Sequence, residues 1–231
     1  MKIGIIGAGQ IGGTLTRRLT ALGHEVSVAN SRGPETLSEL AAETGANPVT
    51  ATEAVLGAEI VVVAIPEASV RDLPEDLFAE AEDDLVVVDT GNYYPRHRDG
   101  RIEEIESGST ESRWVQSQLG RPVVKTFNTI YAKSLMENGR AAGARDRIAL
   151  PVAGDDEAAK AVVIRLLDEL GFDAVDAGGL DESWRQQPGT PVYTADLNAE
   201  GARRTLAEAS PERAPEFRAT ESSPGTFSNP A

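Results

Sequence analysis

Three glycines near the start of the chain stand at the spacing G-x-G-x-x-G, as Gly7, Gly9 and Gly12 within Gly7-Ala8-Gly9-Gln10-Ile11-Gly12. At that spacing the first glycine makes a tight turn, the second lets backbone approach a pyrophosphate, and the third lets a helix close on a strand. The N–H groups that open such a helix, and the positive end of its dipole, then face the phosphates. A second group follows at Asn30-Ser31-Arg32, where no acid occurs between Val26 and Pro34. A carboxylate there would accept hydrogen bonds from a ribose 2′-OH and repel a 2′-phosphate. An amide, a hydroxyl and a guanidinium donate to that phosphate instead, the guanidinium through a charged fork. The two groups together point to NADP rather than NAD.

Further polar residues fall where apolar runs end. Ala64-Ile65-Pro66 closes the run Ile60–Val63, and its backbone is expected against the cofactor. Thr90-Gly91-Asn92-Tyr93-Tyr94 follows Val86-Val87-Val88-Asp89, and Asn128-Thr129 follows Val123-Val124-Lys125-Thr126-Phe127. Ligands of open α/β sheets lie at the carboxyl ends of strands. Thr90, Asn92 and Asn128 are therefore expected to contact the cofactor, with Asn92, Asn128 and Thr129 orienting the nicotinamide amide or an acceptor ring. Tyr93 and Trp184, with Thr129, are expected to wall the acceptor pocket. Hydride transfer is mostly positioning, so no nucleophile or general acid is assigned. Lys125 reads as a structural residue paired with a carboxylate.

The elements that must hold these residues alternate. Lys2–Ile6 reads as a strand, Ile11, Leu15, Leu19 and Leu22 as one face of a helix, and Glu25–Ala29 as a second strand. Pro34–Ala41 reads as a helix ending at Gly45, with a short strand near Pro48 and a short helix from Thr52. The β-branched runs at 60–65 and 84–89 read as parallel strands buried on both faces. A helix is expected over 67–81, a surface excursion over 96–106, a helix over 111–119 and a strand over 122–127. Another strand is expected over 147–153. After it Asp155 is expected to cap a helix reaching Gly171, followed by a strand over 173–177 and a helix over 199–209. The alternation predicts a Rossmann-type, doubly wound, mostly parallel α/β sheet over residues 1–180. Residues 181–231 would form a helix and a proline-bearing arm completing the acceptor pocket or a dimer contact.

Composition narrows the function classes. The 231 residues include 37 acidic and 22 basic side chains, a net charge of −15, which repels nucleic acid and anionic membrane. There is no cysteine, and the two histidines, His24 and His97, lack metal-ligand spacing, so no metal site is expected. No apolar run reaches the roughly 20 residues needed to span a bilayer, and no signal-peptide pattern is present. The expectation is a cytoplasmic enzyme with a small-molecule acceptor, assembled as a homodimer.

Several segments together resemble the family of coenzyme F420-dependent NADP oxidoreductases. They are Gly7–Gly12, Ser31-Arg32, Ala64-Ile65-Pro66, Val152-Ala153-Gly154-Asp155-Asp156 and Asp176-Ala177-Gly178-Gly179-Leu180. The resemblance implies hydride transfer between NADP(H) and a deazaflavin, with Ser31 and Arg32 at the 2′-phosphate. Two further segments, Asp89-Thr90-Gly91-Asn92 and Lys125-Thr126-Phe127-Asn128-Thr129-Ile130, look like the reductase domain of the six-transmembrane metalloreductases. That likeness implies a flavin as the acceptor. Two alternatives remain open beside these. A β-hydroxyacid-type dehydrogenase shares the N-terminal half but needs a lysine base on a long helix and a large helical domain. A non-catalytic NADPH-binding sensor needs no proton donor.

Overall fold

The computed structural model describes all 231 residues. Its first half runs β1 (Lys2–Ile6), α1 (Gln10–Ala21), β2 (Glu25–Ala29), α2 (Ser38–Thr44), β3 (Asn47–Pro48), α3 (Ala51–Val55), β4 (Ile60–Val63) and β5 (Val86–Asp89). The second half adds α4 (Glu103–Glu106), α5 (Glu111–Leu119), β6 (Val123–Lys125), α6 (Ala132–Glu137), β7 (Ala149–Val152), α7 (Glu157–Glu169), β8 (Asp173–Asp176) and α8 (Ala199–Glu208). Six strands form a parallel sheet in the order β3-β2-β1-β4-β5-β6. The winding reverses between β1 and β4, so the connections diverge there and leave a crevice at the carboxyl ends.

The apolar runs bury both faces, as their lack of alternation requires. Ile60 and Val62 of β4 join Ile3, Ile5, Val86 and Val88 under Leu15 and Leu19 of α1 and Val163, Leu166 and Leu167 of α7. Val61 and Val63 point the other way, to Ile6, Val87, Leu77 and Leu85.

The fold is the expected doubly wound α/β sheet, with four local differences. β7 does not extend the parallel sheet. It pairs with β8 in a separate two-stranded parallel sheet, joined to β6 by one antiparallel bridge in which Lys125 and Ala153 exchange backbone hydrogen bonds of 2.8 and 3.1 Å. Residues 67–81 form a 3-10 turn, Glu67–Asp72, and irregular backbone rather than a helix. Pro66 and Pro74 flank that turn, and Pro74 lacks the N–H that a continuing helix would need. Asp156, not Asp155, caps α7, accepting from the N–H groups of Ala158 and Ala159. Asp155 instead accepts from Leu180 N–H at 2.8 Å and pairs with Arg113. These contacts, the Leu180 N–H foremost, hold its carboxyl below the usual range.

The fourth difference concerns the tail and the 96–106 segment, which are docked on each other rather than free. Gly225 and Ala231 N–H groups both donate to the Arg96 carbonyl, at 2.9 and 3.0 Å. Phe227 stacks on His97 with ring centroids 5.3 Å apart, and Phe217 lies 6.3 Å from Tyr94. Upstream, Arg213 reaches inward to Glu111 at 2.8 Å and Gln187 at 3.0 Å. No helix is long and apolar enough to cross a membrane.

Candidate active site

The three motif glycines have three different surroundings. Gly7 has φ +110°, left-handed backbone, and a Cβ there would fall on the Ala64 carbonyl. A Cβ on Gly12 would fall on the Gly7 carbonyl, so α1 can approach β1 only without one. Gly9 has no atom within 4 Å of its missing Cβ; it borders open space. Gly9 is also the N-cap of α1, with no side chain capping it and no acid in the first turn. Gly13 N–H is already taken by the Gly9 carbonyl, while the N–H groups before it are left for an anion. The residue types fit a pyrophosphate.

A cleft of about 690 Å³ opens in front of this turn. Gly7, Ala8 and Gly9 line one part, Asn30, Ser31 and Arg32 another, and Ala64, Ile65 and Pro66 a third. Gln10 and Ile11 follow Gly9 in the first turn of α1. Asn30 organises its corner. Its Oδ1 accepts from Arg32 N–H at 2.9 Å, and its Nδ2 donates to Thr36 at 2.9 Å. Asn30 thereby shapes the turn that presents Ser31 and Arg32, both exposed. The Arg32 guanidinium makes no hydrogen bond or ion pair within the protein and is free to meet a phosphate.

Thr90, Asn92, Asn128 and Thr129 lie outside that cleft, further along the same sheet edge at the ends of β5 and β6. Asn92 and Asn128 are knitted together. Asn128 Nδ2 donates to Asn92 Oδ1 at 3.1 Å and to the Gln186 carbonyl at 2.6 Å, and its Oδ1 accepts from Gln186 Nε2 at 3.0 Å. Asn92 Nδ2 donates to the Asn128 carbonyl at 3.0 Å. Asn128 is buried, and its amide is engaged by Asn92 and Gln186. Asn92 is half-buried and keeps hydrogen-bonding capacity. Thr90 is buried with its hydroxyl on the Val63 carbonyl, and Thr129 is buried with its carbonyl accepting from Thr194 N–H. Phe127, just before Asn128, holds φ 61°, a left-handed backbone rare outside glycine that costs about 1–3 kcal/mol.

The two expected wall residues are placed differently. Tyr93 is wholly buried among Ile102, Ile105, Trp114 and Val115, with its hydroxyl accepting from Ile102 N–H, and presents no face to a ligand. Trp184 is half-buried, stacked by Arg185, and borders a second cleft of about 510 Å³ with Thr110, Arg113, Gln187 and Arg213. Two further tyrosines, Tyr94 and Tyr193, hydrogen-bond through their hydroxyls, and the Arg98 guanidinium lies over the Tyr94 ring while donating to the Asn92 carbonyl at 2.6 Å. They are 99 residues apart, and no local pattern pairs them.

Behind Gly91 lies a buried charge cluster. Lys125 Nζ donates to Asp89 Oδ2 at 3.0 Å and to the Gly91 carbonyl at 2.7 Å, with Glu67 at 4.0 Å. Asp89 also accepts from Ser112 and from Gly91 N–H, each at 2.7 Å. All four side chains are within 2% of fully buried. Burial alone would lower the Lys125 pKa, but Asp89, Glu67 and Glu111 outweigh it and leave it raised. For Glu67 the attraction of Lys125 is outweighed. Burial, then the neighbouring Asp89, pushes its carboxyl well above the usual range. Lys125 was expected to be structural; the structure adds that it carries the Thr90-Gly91-Asn92 loop.

Residues 2–93 match the family described as NADP oxidoreductase, coenzyme F420-dependent. A protein of Arthrobacter sp. FB24, provisionally named an F420-dependent NADP-reductase, is 31% identical over 78% of this chain and 85% of its own, with a TM-score of 0.63. This chain belongs to the coenzyme F420-dependent NADP oxidoreductase family. The hypothetical protein SMa0349 from Sinorhizobium meliloti is similar at 30% identity over 86% of this chain and 95% of its own, with a TM-score of 0.70. The Escherichia coli (strain K12) protein YjhV is 51% identical over 57 residues, 25% of this chain. This chain spans only 42% of that relative's length. Membership in this family places the chain among NAD(P)-dependent oxidoreductases.

Proposed function

We propose that this protein is an NADPH-dependent oxidoreductase that passes hydride between NADP(H) and a deazaflavin, coenzyme F420, or a flavin of the same planar shape. The observation that carries the choice of NADP is the corner at Asn30-Ser31-Arg32. It holds no carboxylate, and an unpaired guanidinium stands there beside the glycine turn. Gly7–Gly12 would hold the pyrophosphate, Arg32 and Ser31 the 2′-phosphate, and Ala64-Ile65-Pro66 the connecting ribose. Bound NADPH supplies a hydride. The chain's own residues align and shield it, with Asn92, fixed by Asn128 and Gln186, orienting the reacting rings. Tyr94 and Tyr193, beyond Asn92, are the aromatic surface nearest to where a planar acceptor would stack.

The similarity to the Arthrobacter protein named as an F420-dependent NADP-reductase supports F420 as the acceptor. The lysine base of a β-hydroxyacid dehydrogenase has no counterpart in α7, where Lys160 is buried and engaged by Glu157 at 2.7 Å and Asp176 at 3.1 Å. The test is NADPH oxidation with F420, FMN, FAD and ferric chelates supplied separately. Turnover fastest with F420 is expected. Tight NADPH binding without turnover on any of them would overturn the enzymatic reading in favour of a sensor.

A further inference from the structure

The elements around the Lys125 cluster leave an unusual set of polar atoms without partners in the protein. Both Glu67 carboxyl oxygens, Glu111 Oε2, Thr126 Oγ1, Ser183 Oγ, Gln186 Oε1 and Gln187 Nε2 are buried and make no hydrogen bond. A buried polar group left unpaired costs about 1–3 kcal/mol, so seven together call for partners that the protein does not supply, a role buried water fills. Four of these side chains, Glu67, Glu111, Gln186 and Gln187, are linked through Lys125 and Arg213. Glu67 lies beside Lys125, whose carbonyl is 3.5 Å from Gln186 Nε2. Glu111 faces Lys125 and Glu67 from α5, and shares Arg213 with Gln187. Gln187 and Arg213 border the open 510 Å³ cleft. At the other end, the missing Cβ of Gly91 would stand 2.9 Å from the Glu67 carboxyl carbon. Glu67 therefore packs directly against Gly91, the residue before Asn92, where no side chain intervenes.

We infer that Glu67 is the terminal acid of an internal, water-filled proton path that opens at the Gln187–Arg213 cleft and ends beneath Gly91. This inference rests on the reading of the site as a hydride-transfer centre. Reduction of a deazaflavin or flavin places a hydride on a ring atom and a proton on a ring nitrogen, so each turnover consumes one proton from solvent. The Glu67 O–H bond breaks and an N–H bond forms on the acceptor, relayed by water past Gly91. The Glu67 carboxylate then takes a proton back along Glu111, Thr126 and Gln187. Charge supports a neutral Glu67. Asp89, Glu111 and Asp99 face it from β5, α5 and the 95–99 turn, and Lys125, Arg213 and Arg98 pair with those three acids. A fourth carboxylate would have no cation of its own, only a share of Lys125 at 4.0 Å. Burial and the three acids favour the protonated form, the state an acid must hold before it donates.

The test compares Glu67→Gln with the wild type in single-turnover reduction of F420 by NADPH, in H₂O and D₂O, across pH. General acids contribute about 10²–10⁴-fold, so a loss of about a hundredfold in the reduction rate is expected, with NADPH affinity unchanged. The solvent isotope effect should also change. A reading independent of turnover is the infrared band of a protonated carboxyl, present in wild type at neutral pH and absent in Glu67→Gln. Thr126→Val, which interrupts the path without touching Glu67, should slow reduction less and keep the band; it also serves if Glu67→Gln does not fold. Reduction at the wild-type rate with an unchanged isotope effect, or no protonated-carboxyl band in wild type, would overturn the inference. A wild type that reduces no acceptor would instead overturn the hydride-transfer reading on which it rests.

Discussion

Replacing Lys125 by methionine keeps most of the side-chain volume and removes the ammonium. Three contacts go with it: the 3.0 Å pair with Asp89, the 2.7 Å bond to the Gly91 carbonyl and the 4.0 Å approach to Glu67. Asp89 would keep its bonds from Ser112 and Gly91 N–H but lose its only cation, in a site with 1% of its surface exposed. Removing one partner of a buried pair costs about 3–5 kcal/mol, because the other charge is stranded. At about 2–4 °C per kcal/mol for a chain of this length, the melting temperature should fall by about 6–20 °C. Adding Asp89→Asn removes the stranded charge while keeping an acceptor for Gly91 N–H. The double variant should therefore recover at least about 1 kcal/mol, a coupling that a double-mutant cycle in urea would measure. A Lys125→Met protein melting within about 2 °C of wild type, or additive effects in the cycle, would refute the account of this cluster as an ionised pair supporting the Gly91 loop.

Other expectations follow from the same geometry. Arg32→Ala should weaken NADPH binding by about 10–100-fold, the equivalent of one charged hydrogen bond of about 1.5–3 kcal/mol, and leave NADH binding unchanged in fluorescence titrations. Gly9→Ala should melt near the wild-type temperature yet bind NADPH poorly, since its Cβ enters open space where the pyrophosphate would pass, whereas Gly12→Ala should melt well below it because α1 is forced off β1. Glu67, with its carboxyl raised in the fold, contributes most at pH values below the ordinary carboxyl range. As pH rises from there toward the raised value, wild type should lose about 1.4 kcal/mol per pH unit relative to Glu67→Gln, read as diverging urea midpoints. Arg213→Ala strands Glu111, which is fully buried, and should cost about 3 kcal/mol in the same assay.

The sheet was legible because its strands are uninterrupted β-branched runs. Ile60–Val63 and Val86–Val88 can lie only between two covered faces, and the glycine spacing places the first turn. The corner at Asn30–Arg32 was legible for the same local reason. What escaped were partnerships across long separations. Lys125 could be read as paired, but its acids lie 36 and 58 positions earlier and come together only through strand order. Tyr93 reads like a pocket wall because it follows a strand end, yet the chain turns it inward onto Trp114. The tail has the polar, proline-bearing composition of an arm. A few anchors, Arg213, Phe217 and Phe227, are enough to fix it, and a composition average dilutes them. Residues 67–72 look helical by spacing, but Pro66 and Pro74 confine them to a single turn.

The backbone seam between the two sheets is one residue pair, above a shared apolar core, and one member of that pair is Lys125. Its backbone is bonded to Ala153 on the small sheet, while its side chain holds Asp89 and the Gly91 carbonyl under the large one. Close-packed interiors are stiff and transmit displacement rather than absorb it. The β7–β8 layer with α7 thus meets the large sheet both through this pair and through the shared core beneath it. A shift of that outer layer, by a binding partner or a substitution in α8, therefore has a direct backbone route to the floor beneath Asn92.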